Sequence, residues 1–224
     1  MSDPEAENTV VPDGIPPVIQ AGIVAPQGAP DEELMARYAE GDAEAFEELY
    51  RRYRGPLYRF ILRSVNGDRE AAMDLFHEVM MKVIGAAQRW TPSAKFNTWI
   101  FRIARNTCID ASRRRKFLPK KRYADQHLSE VEDSNVEDIV VNAGSNPENA
   151  ATDSETRSAI MELLNEMKPE QREVFLLREV EGLSFQEVAE IARCTISTAK
   201  SRMRYAIRFL ALGLKQRGIE TYNV

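Results

Sequence analysis

The chain has 224 residues, room for one ordinary domain or two small ones, each with a modest core. Apolar residues make up 43% and charged residues 29%, so most of the chain should fold, and its few β-branched runs favour helix over sheet. No stretch nears the roughly 20 apolar residues a membrane span needs, and the two cysteines, Cys108 and Cys194, lie far apart, which excludes a disulfide framework or a metal cluster and leads us to expect an intracellular, cytoplasmic protein.

The net charge of −5 conceals a strong segregation. Between Lys95 and Arg122 ten Lys or Arg face the single acid Asp110. Between Tyr123 and Thr156 there are nine acids and no Lys or Arg, and a second basic patch lies between Arg193 and Arg208. Two basic surfaces separated by an acidic connector are therefore expected.

In chain order, residues 1–30 carry Pro12, Pro16, Pro17, Pro26 and Pro30, with no aromatic residue and no Lys or Arg, and read as a disordered arm. Helical periodicity starts near Asp31 and runs through Phe46, Leu49, Tyr50, Tyr53, Leu57, Phe60 and Ile61. Asn66-Gly67-Asp68 supplies a turn and an N-cap. The next helix, roughly 69–88, places Ala72, Leu75, Phe76, Val79, Met80, Val83, Ile84 and Ala87 on one apolar stripe. Trp90-Thr91-Pro92-Ser93 interrupts it, and a long basic helix follows from about Phe96 to Arg115, completing a four-helix first domain over 31–117.

Residues 118–156 lack a sustained apolar period and read as a flexible acidic linker. A second domain over 157–214 begins near Arg157 with Ile160, Leu163, Leu164 and Met167, and Pro169 opens a helix bearing Val174, Phe175 and Leu177. Ser184-Phe185-Gln186-Glu187 fits a capping box, a turn follows at Arg193-Cys194, and Thr195 caps a second helix running to about Leu212, the order of a helix-turn-helix. Residues 215–224 read as a tail. The fold class is all-α, two small helical domains on a flexible linker.

On the last helix Ile196, Ala199, Met203, Ala206, Ile207 and Leu210 form the inward side. Ser197, Lys200, Ser201, Arg204 and Arg208 project opposite, a face that suits guanine edges and phosphates in a major groove. The turn has Ala192-Arg193-Cys194 where a glycine is common. On the 69–88 helix, Asp74, His77, Glu78 and Met81 lie opposite the apolar stripe and offer a mixed surface to a protein partner. Around the basic helix, Phe96, Trp99 and Phe101 alternate with Lys95, Arg102 and Arg105; rings replace lost base stacking and cations hold phosphates, as strand separation needs. For Trp99 core packing and DNA contact are both open.

Three segments in this order resemble the extracytoplasmic-function sigma factors of the sigma-70 family. Asp74-Leu75-Phe76-His77-Glu78-Val79-Met80-Met81-Lys82-Val83 looks like region 2.2, and by resemblance Asp74, Leu75, His77, Glu78, Met81 and Lys82 would grip the β′ clamp coiled coil of core RNA polymerase. Phe96 to Asn106, continuing to Ile109-Asp110 and Arg113-Arg114-Arg115, looks like regions 2.3 and 2.4, which open and read the −10 element. The implied contacts are Trp90, Ser93, Lys95, Phe96, Asn97, Trp99, Arg102, Arg105, Arg113 and Arg114, with the loop from Trp90 to Lys95 holding a flipped base. Leu183 to Ala189 with Thr198-Ala199-Lys200-Ser201-Arg202 resembles region 4.2, which implies −35 contacts from Ser197, Thr198, Lys200, Ser201, Arg202, Arg204, Tyr205 and Arg208.

The resemblance covers about 31–117 and 157–214, a sigma2-like and a sigma4-like domain, and implies as partners core polymerase through the β′ clamp and β flap, promoter DNA, and a cognate anti-sigma factor. His77 stands where the family usually has glutamine. The acidic linker is read either as a strand for the RNA exit channel or as a plain spacer. The rival reading is a stand-alone helix-turn-helix regulator with a sensing or dimerising N-terminal domain. An enzyme is disfavoured, since there is no glycine-rich phosphate loop, no metal-spaced His/Cys set and no nucleophile with a paired histidine, so no cofactor or metal is expected.

Overall fold

The computed structural model describes residues 28–91, 95–117 and 150–219. The 1–27 arm, Ser93, the connector from 118 to 149 with His127, and residues 220–224 lie outside the described residues. Among those described there are eight α-helices, a 3-10 turn and a π-helical turn, and no strand. The N-terminal half is α1 (Asp31–Ala39), α2 (Ala43–Ser64), α3 (Arg69–Ala86) and α4 (Phe96–Phe117), with the 3-10 turn at Ala87–Arg89. The C-terminal half is α5 (Ala150–Glu166), α6 (Pro169–Phe175), the π-turn Leu176–Val180, α7 (Phe185–Ala192) and α8 (Ile196–Gln216).

Local chemistry sets these ends. Asp42 caps α2 by accepting from the Glu44 and Ala45 N–H groups, and Asp68 caps α3 through Ala71 N–H. Asn66 and Gly67 adopt φ of 59° and 83°, the left-handed turn expected from Asn-Gly. Helix α1 is tied to α2 by Asp31, whose carboxylate accepts from Arg52 at 2.7 Å and from the Tyr53 hydroxyl. Glu32 of α1 accepts the Phe96 N–H at 2.7 Å, so a distant carboxylate occupies the start of α4.

Inside, Leu49, Tyr53, Leu57, Phe60 and Ile61 meet Leu75, Phe76, Val79, Met80 and Val83 and, from α4, Phe96, Ile100, Phe101 and Ala104. Rings lock edge to face, Tyr53 to Phe96 at 5.2 Å and Phe60 to Phe101 at 5.6 Å. The buried residues of both halves belong to one continuous apolar cluster.

Several expectations are corrected. Ile84 is 39% exposed and Tyr50 is partly exposed, because each sits at the edge of its stripe. Ile196 is 46% exposed at the first turn of α8, where the helix projects beyond its packing partners. Helix α5 starts at Ala150, seven residues before the expected Arg157, and α8 continues past Leu212. The added turn of α8 is held by Arg217, which bonds the Ala159 carbonyl at 3.1 Å and Glu162 at 2.8 Å. Apolar periodicity misses both ends because Ala150-Ala151-Thr152-Asp153-Ser154-Glu155 and Lys215-Gln216-Arg217 carry little apolar signal.

Helices α5 and α8 pack tightly at Gly213, where a Cβ would lie 2.3 Å from Leu163 Cδ2 and 3.2 Å from its Cγ. Leu163 is itself buried. Gly213→Ala should therefore overpack this contact and destabilise the fold by about 1–3 kcal/mol, read as a lower denaturant midpoint with an unchanged slope.

The two halves also meet through polar groups. Arg172, buried in α6, donates to the Asn66 side chain of the α2–α3 turn and, at 3.4 Å, to the Leu164 carbonyl. Glu181, 2% exposed after the π-turn, lies near Arg59 and Arg63 of α2. Burial pushes its carboxyl up to about 8 against the pull of those two arginines. A carboxyl whose pKa is higher in the folded state stabilises fully below its unfolded value and loses that contribution as pH rises through the folded one. Between roughly pH 5 and 8 wild-type stability should thus fall. Glu181→Gln should flatten this decline, melting close to wild type at pH 5 and about 5 °C higher at pH 9 in thermal unfolding monitored by circular dichroism.

Candidate nucleic-acid and polymerase interface

Helix α7 begins with the full capping box: Ser184 Oγ accepts from Glu187 N–H, and the Glu187 carboxylate accepts from Ser184 N–H at 2.8 Å. Arg193 ends α7 in the left-handed region, φ 51° and ψ 51°, so a non-glycine residue makes the turn that usually takes glycine. Thr195 caps α8 by accepting from Thr198 N–H at 3.1 Å. The resulting α8 buries Ala199, Met203, Ala206 and Leu210 and leaves Ser197, Lys200, Arg204, Tyr205 and Arg208 exposed, with Thr198, Ser201 and Arg202 half-buried. Arg204 is steadied by Ser201 at 3.2 Å, and Lys200 lies over the Phe185 ring. All eight residues expected to read the upstream element lie on α8, five of them fully turned outward.

On α3, Asp74, His77, Met81 and Lys82 are exposed and Glu78 is half-buried. Met81, at 66%, is a large apolar side chain in water on a helix whose opposite side is fully packed. Leu75 departs from the expected contact set, being buried in the core, since it belongs to the apolar stripe. Glu78 binds Lys82 at 2.8 Å and Arg114 of α4 at 3.2 Å, and Lys82 donates to the buried Thr107 hydroxyl at 2.9 Å. The Lys82 bond and, after a burial cost, the Arg114 bond hold the Glu78 carboxyl below its usual range. This network joins residues of α3 expected to meet polymerase to Arg114 of α4, expected at the −10 element, a link that spacing in the sequence did not reveal.

On α4 the residues expected at the −10 element divide. Phe96 is completely buried and is corrected to a core ring; with Tyr53 and Trp99 it forms the floor of an aromatic cluster. Trp90 and Trp99 are half-buried, stacked edge to face at 6.3 Å, and present part of their rings to solvent. Asn97 accepts from Thr98 N–H. Arg113 and Arg114 are exposed. Lys95, Arg102 and Arg105 each meet an acid of the C-terminal half: Glu187 at 3.1 Å, Glu190 at 3.1 Å, and Glu173. Burial works against the charge of Glu187, yet its bonds from Ser184 and Lys95 keep its carboxyl below the ordinary range. Burial dominates at Glu173 and raises it despite Arg105.

Both cysteines are free and half-buried, and burial pushes the Cys108 thiol up to about 12. Among the described residues no group of His, Cys, Asp and Glu could hold a metal ion, and no helix is long and apolar enough to cross a membrane.

Residues 49–117 match the family model for sigma-70 region 2, and 157–210 match that for sigma-70 region 4; together they span more than half of the chain. The RNA polymerase sigma-H factor of Pseudomonas aeruginosa is 28% identical over 177 residues, covering 77% of this chain and 88% of that protein. The ECF RNA polymerase sigma-E factor of Escherichia coli K12 is 29% identical over 175 residues with the same coverage, and sigma factor CarQ of Myxococcus xanthus is 29% identical over 170 residues, covering 76% and 88%. Among solved structures, CnrH bound to the cytosolic domain of CnrY aligns with TM-score 0.58 at 20% identity, covering 83% of this chain and 97% of that one. The sigma factor RpoE bound to the anti-sigma factor NepR from Bartonella quintana aligns with TM-score 0.58 at 21% identity, covering 77% and 98%. These two share the fold. Matches to regions 2 and 4 in one chain set aside the stand-alone regulator and the enzyme: the chain belongs to the sigma-70 family as an extracytoplasmic-function sigma factor, a non-enzymatic promoter-specificity subunit of RNA polymerase.

Proposed function

We propose that the exposed side of α3 docks on core polymerase, that α4 with the Trp90–Trp99 cluster captures the −10 element, and that the outer face of α8 reads the −35 element. The observation that carries this reading is α8: a helix-turn-helix whose second helix buries an apolar face and turns Lys200, Arg204 and Arg208 outward together, with no acid between Arg193 and Arg208 to neutralise them. Beside the start of α4, the half-buried Trp90, just after the 3-10 turn, and Trp99 leave ring surface on which an unstacked base can rest, near cations for its phosphates. On α3, Met81 gives a partner helix an apolar anchor ringed by Asp74, His77 and Lys82.

The RpoE of Bartonella quintana was solved with an anti-sigma factor, and a comparable partner and a cytoplasmic location for this chain belong to the same reading.

Run-off transcription with purified core polymerase on fragments of the source genome should yield start sites that require this protein. Arg204→Ala should weaken them about tenfold at limiting protein, the cost of one lost guanine or phosphate contact, without lowering the melting temperature. Met81→Asp should weaken association with core polymerase about tenfold in an affinity titration while leaving upstream duplex binding unchanged. Absence of core association together with salt-sensitive duplex binding by the protein alone would overturn the assignment.

A further inference from the structure

A face of cations binds any phosphate chain, and choosing one promoter over another needs contacts to base edges. Helix α8 carries one outward side chain that charge does not explain. Ile196, its first residue, is 46% exposed, although it continues the apolar stripe on which Ala199 and Met203 are buried further along the helix. The first turn around it is held by its own caps: Thr195 Oγ1 accepts from the Thr198 N–H at 3.1 Å and shares a hydrogen bond with the Thr198 hydroxyl at 2.8 Å. Those two threonines engage their polar groups within the turn, and Ile196 and Ser197 stand exposed at the tip of the helix. Lys200, four residues on and so on the same side as Ile196, is exposed as well, and Arg204 follows one turn later.

An exposed isoleucine leaves apolar area in water that a partner can withdraw. The cations of its row, with no acid between Arg193 and Arg208, favour a polyanion as that partner over an apolar protein surface. In a helix-turn-helix, the first residues of the second helix are the ones that meet base edges in the major groove. Isoleucine has neither donor nor acceptor, so against the amino, carbonyl or ring-nitrogen edge of a base it would strip water without replacing its hydrogen bonds. The apolar group that a base presents in that groove is the 5-methyl of thymine. We infer that Ile196 is a specificity-determining residue that packs on a thymine 5-methyl group of the upstream promoter element, selecting an A·T pair at one position beside the contacts of Lys200 and Arg204. The inference deepens the reading of α8 given above and rests on it.

The test replaces thymine by deoxyuridine, one position at a time, in the upstream element of a promoter mapped by run-off transcription. Every hydrogen-bonding group of the base stays and only the methyl is lost. Affinity of core polymerase carrying the full chain is read by competition against the labelled parent promoter. For the wild-type chain, one position should bind about fourfold more weakly with deoxyuridine, the worth of one methyl group withdrawn from water. Ile196→Ala should bind the thymine promoter about as weakly as the wild type binds the deoxyuridine one, and should not distinguish the two. Arg204→Ala should lose affinity on both duplexes and keep the fourfold ratio, which separates a lost methyl contact from general weakening. Because Ile196 is exposed, Ile196→Ala should melt at the wild-type temperature.

Wild-type affinity indifferent to deoxyuridine at every thymine of the element, or an Ile196→Ala chain that still discriminates, would overturn the inference. A scrambled upstream element that binds as well as the parent would sink the reading of α8 itself, and the inference with it.

Discussion

Helix α4 is asked to be two things at once. With 3.6 residues per turn, Phe96, Ile100, Ala104 and Thr107 fall on one side, and Phe101 beside them, all buried against α2 and α3, while Arg102 and Arg105 must lie away from that core. Burying a Phe or Ile side chain contributes roughly 1.5–3 kcal/mol each, so the apolar side fixes the helix firmly enough to hold its cations in a defined row. Everything proposed for the downstream element depends on that rigid row, as do the ion pairs that Arg102 and Arg105 make with Glu190 and Glu173.

Electrostatics acts as a selector rather than a source of stability here. The Arg51–Glu48 and Arg37–Asp42 pairs are surface contacts of the kind worth little. Arg105 with Glu173 is different: both side chains are largely withdrawn from water, so each needs the other, and breaking one leaves an uncompensated charge. The same logic applies to Glu181, which avoids the cost of a buried charge by keeping its proton near two arginines. Polar groups thus decide which faces of the two halves meet, while apolar burial decides that the halves fold.

The turn of the helix-turn-helix illustrates how a local penalty is tolerated. Arg193 sits in the left-handed region, which costs a non-glycine residue of order 1 kcal/mol. The chain accepts this because the turn is closed on both sides: Cys194 N–H bonds the Ala189 carbonyl at 3.0 Å, and Thr195 caps the next helix. The capping box at Ser184 and the N-cap at Thr195 fix the angle at which α8 leaves the core, and hence the direction in which Lys200, Arg204 and Arg208 point.

The sequence alone determined the helical class, the four-helix first half, the helix-turn-helix with its caps, and the separation of basic surfaces, because each is a matter of local period, capping chemistry and charge count. It located the exposed basic face of α8 and the outward side of α3 for the same reason. Only tertiary structure decided which members of a stripe are core and which are edge, as at Ile84, Ile196, Leu75 and Phe96. Only tertiary structure paired Glu78 with Arg114, Glu173 with Arg105 and Glu190 with Arg102, at separations of 36 to 88 residues. Periodicity reports which way a side chain points from its own helix and carries no information about what stands opposite; that is settled when distant faces pack and each buried charge must find its partner.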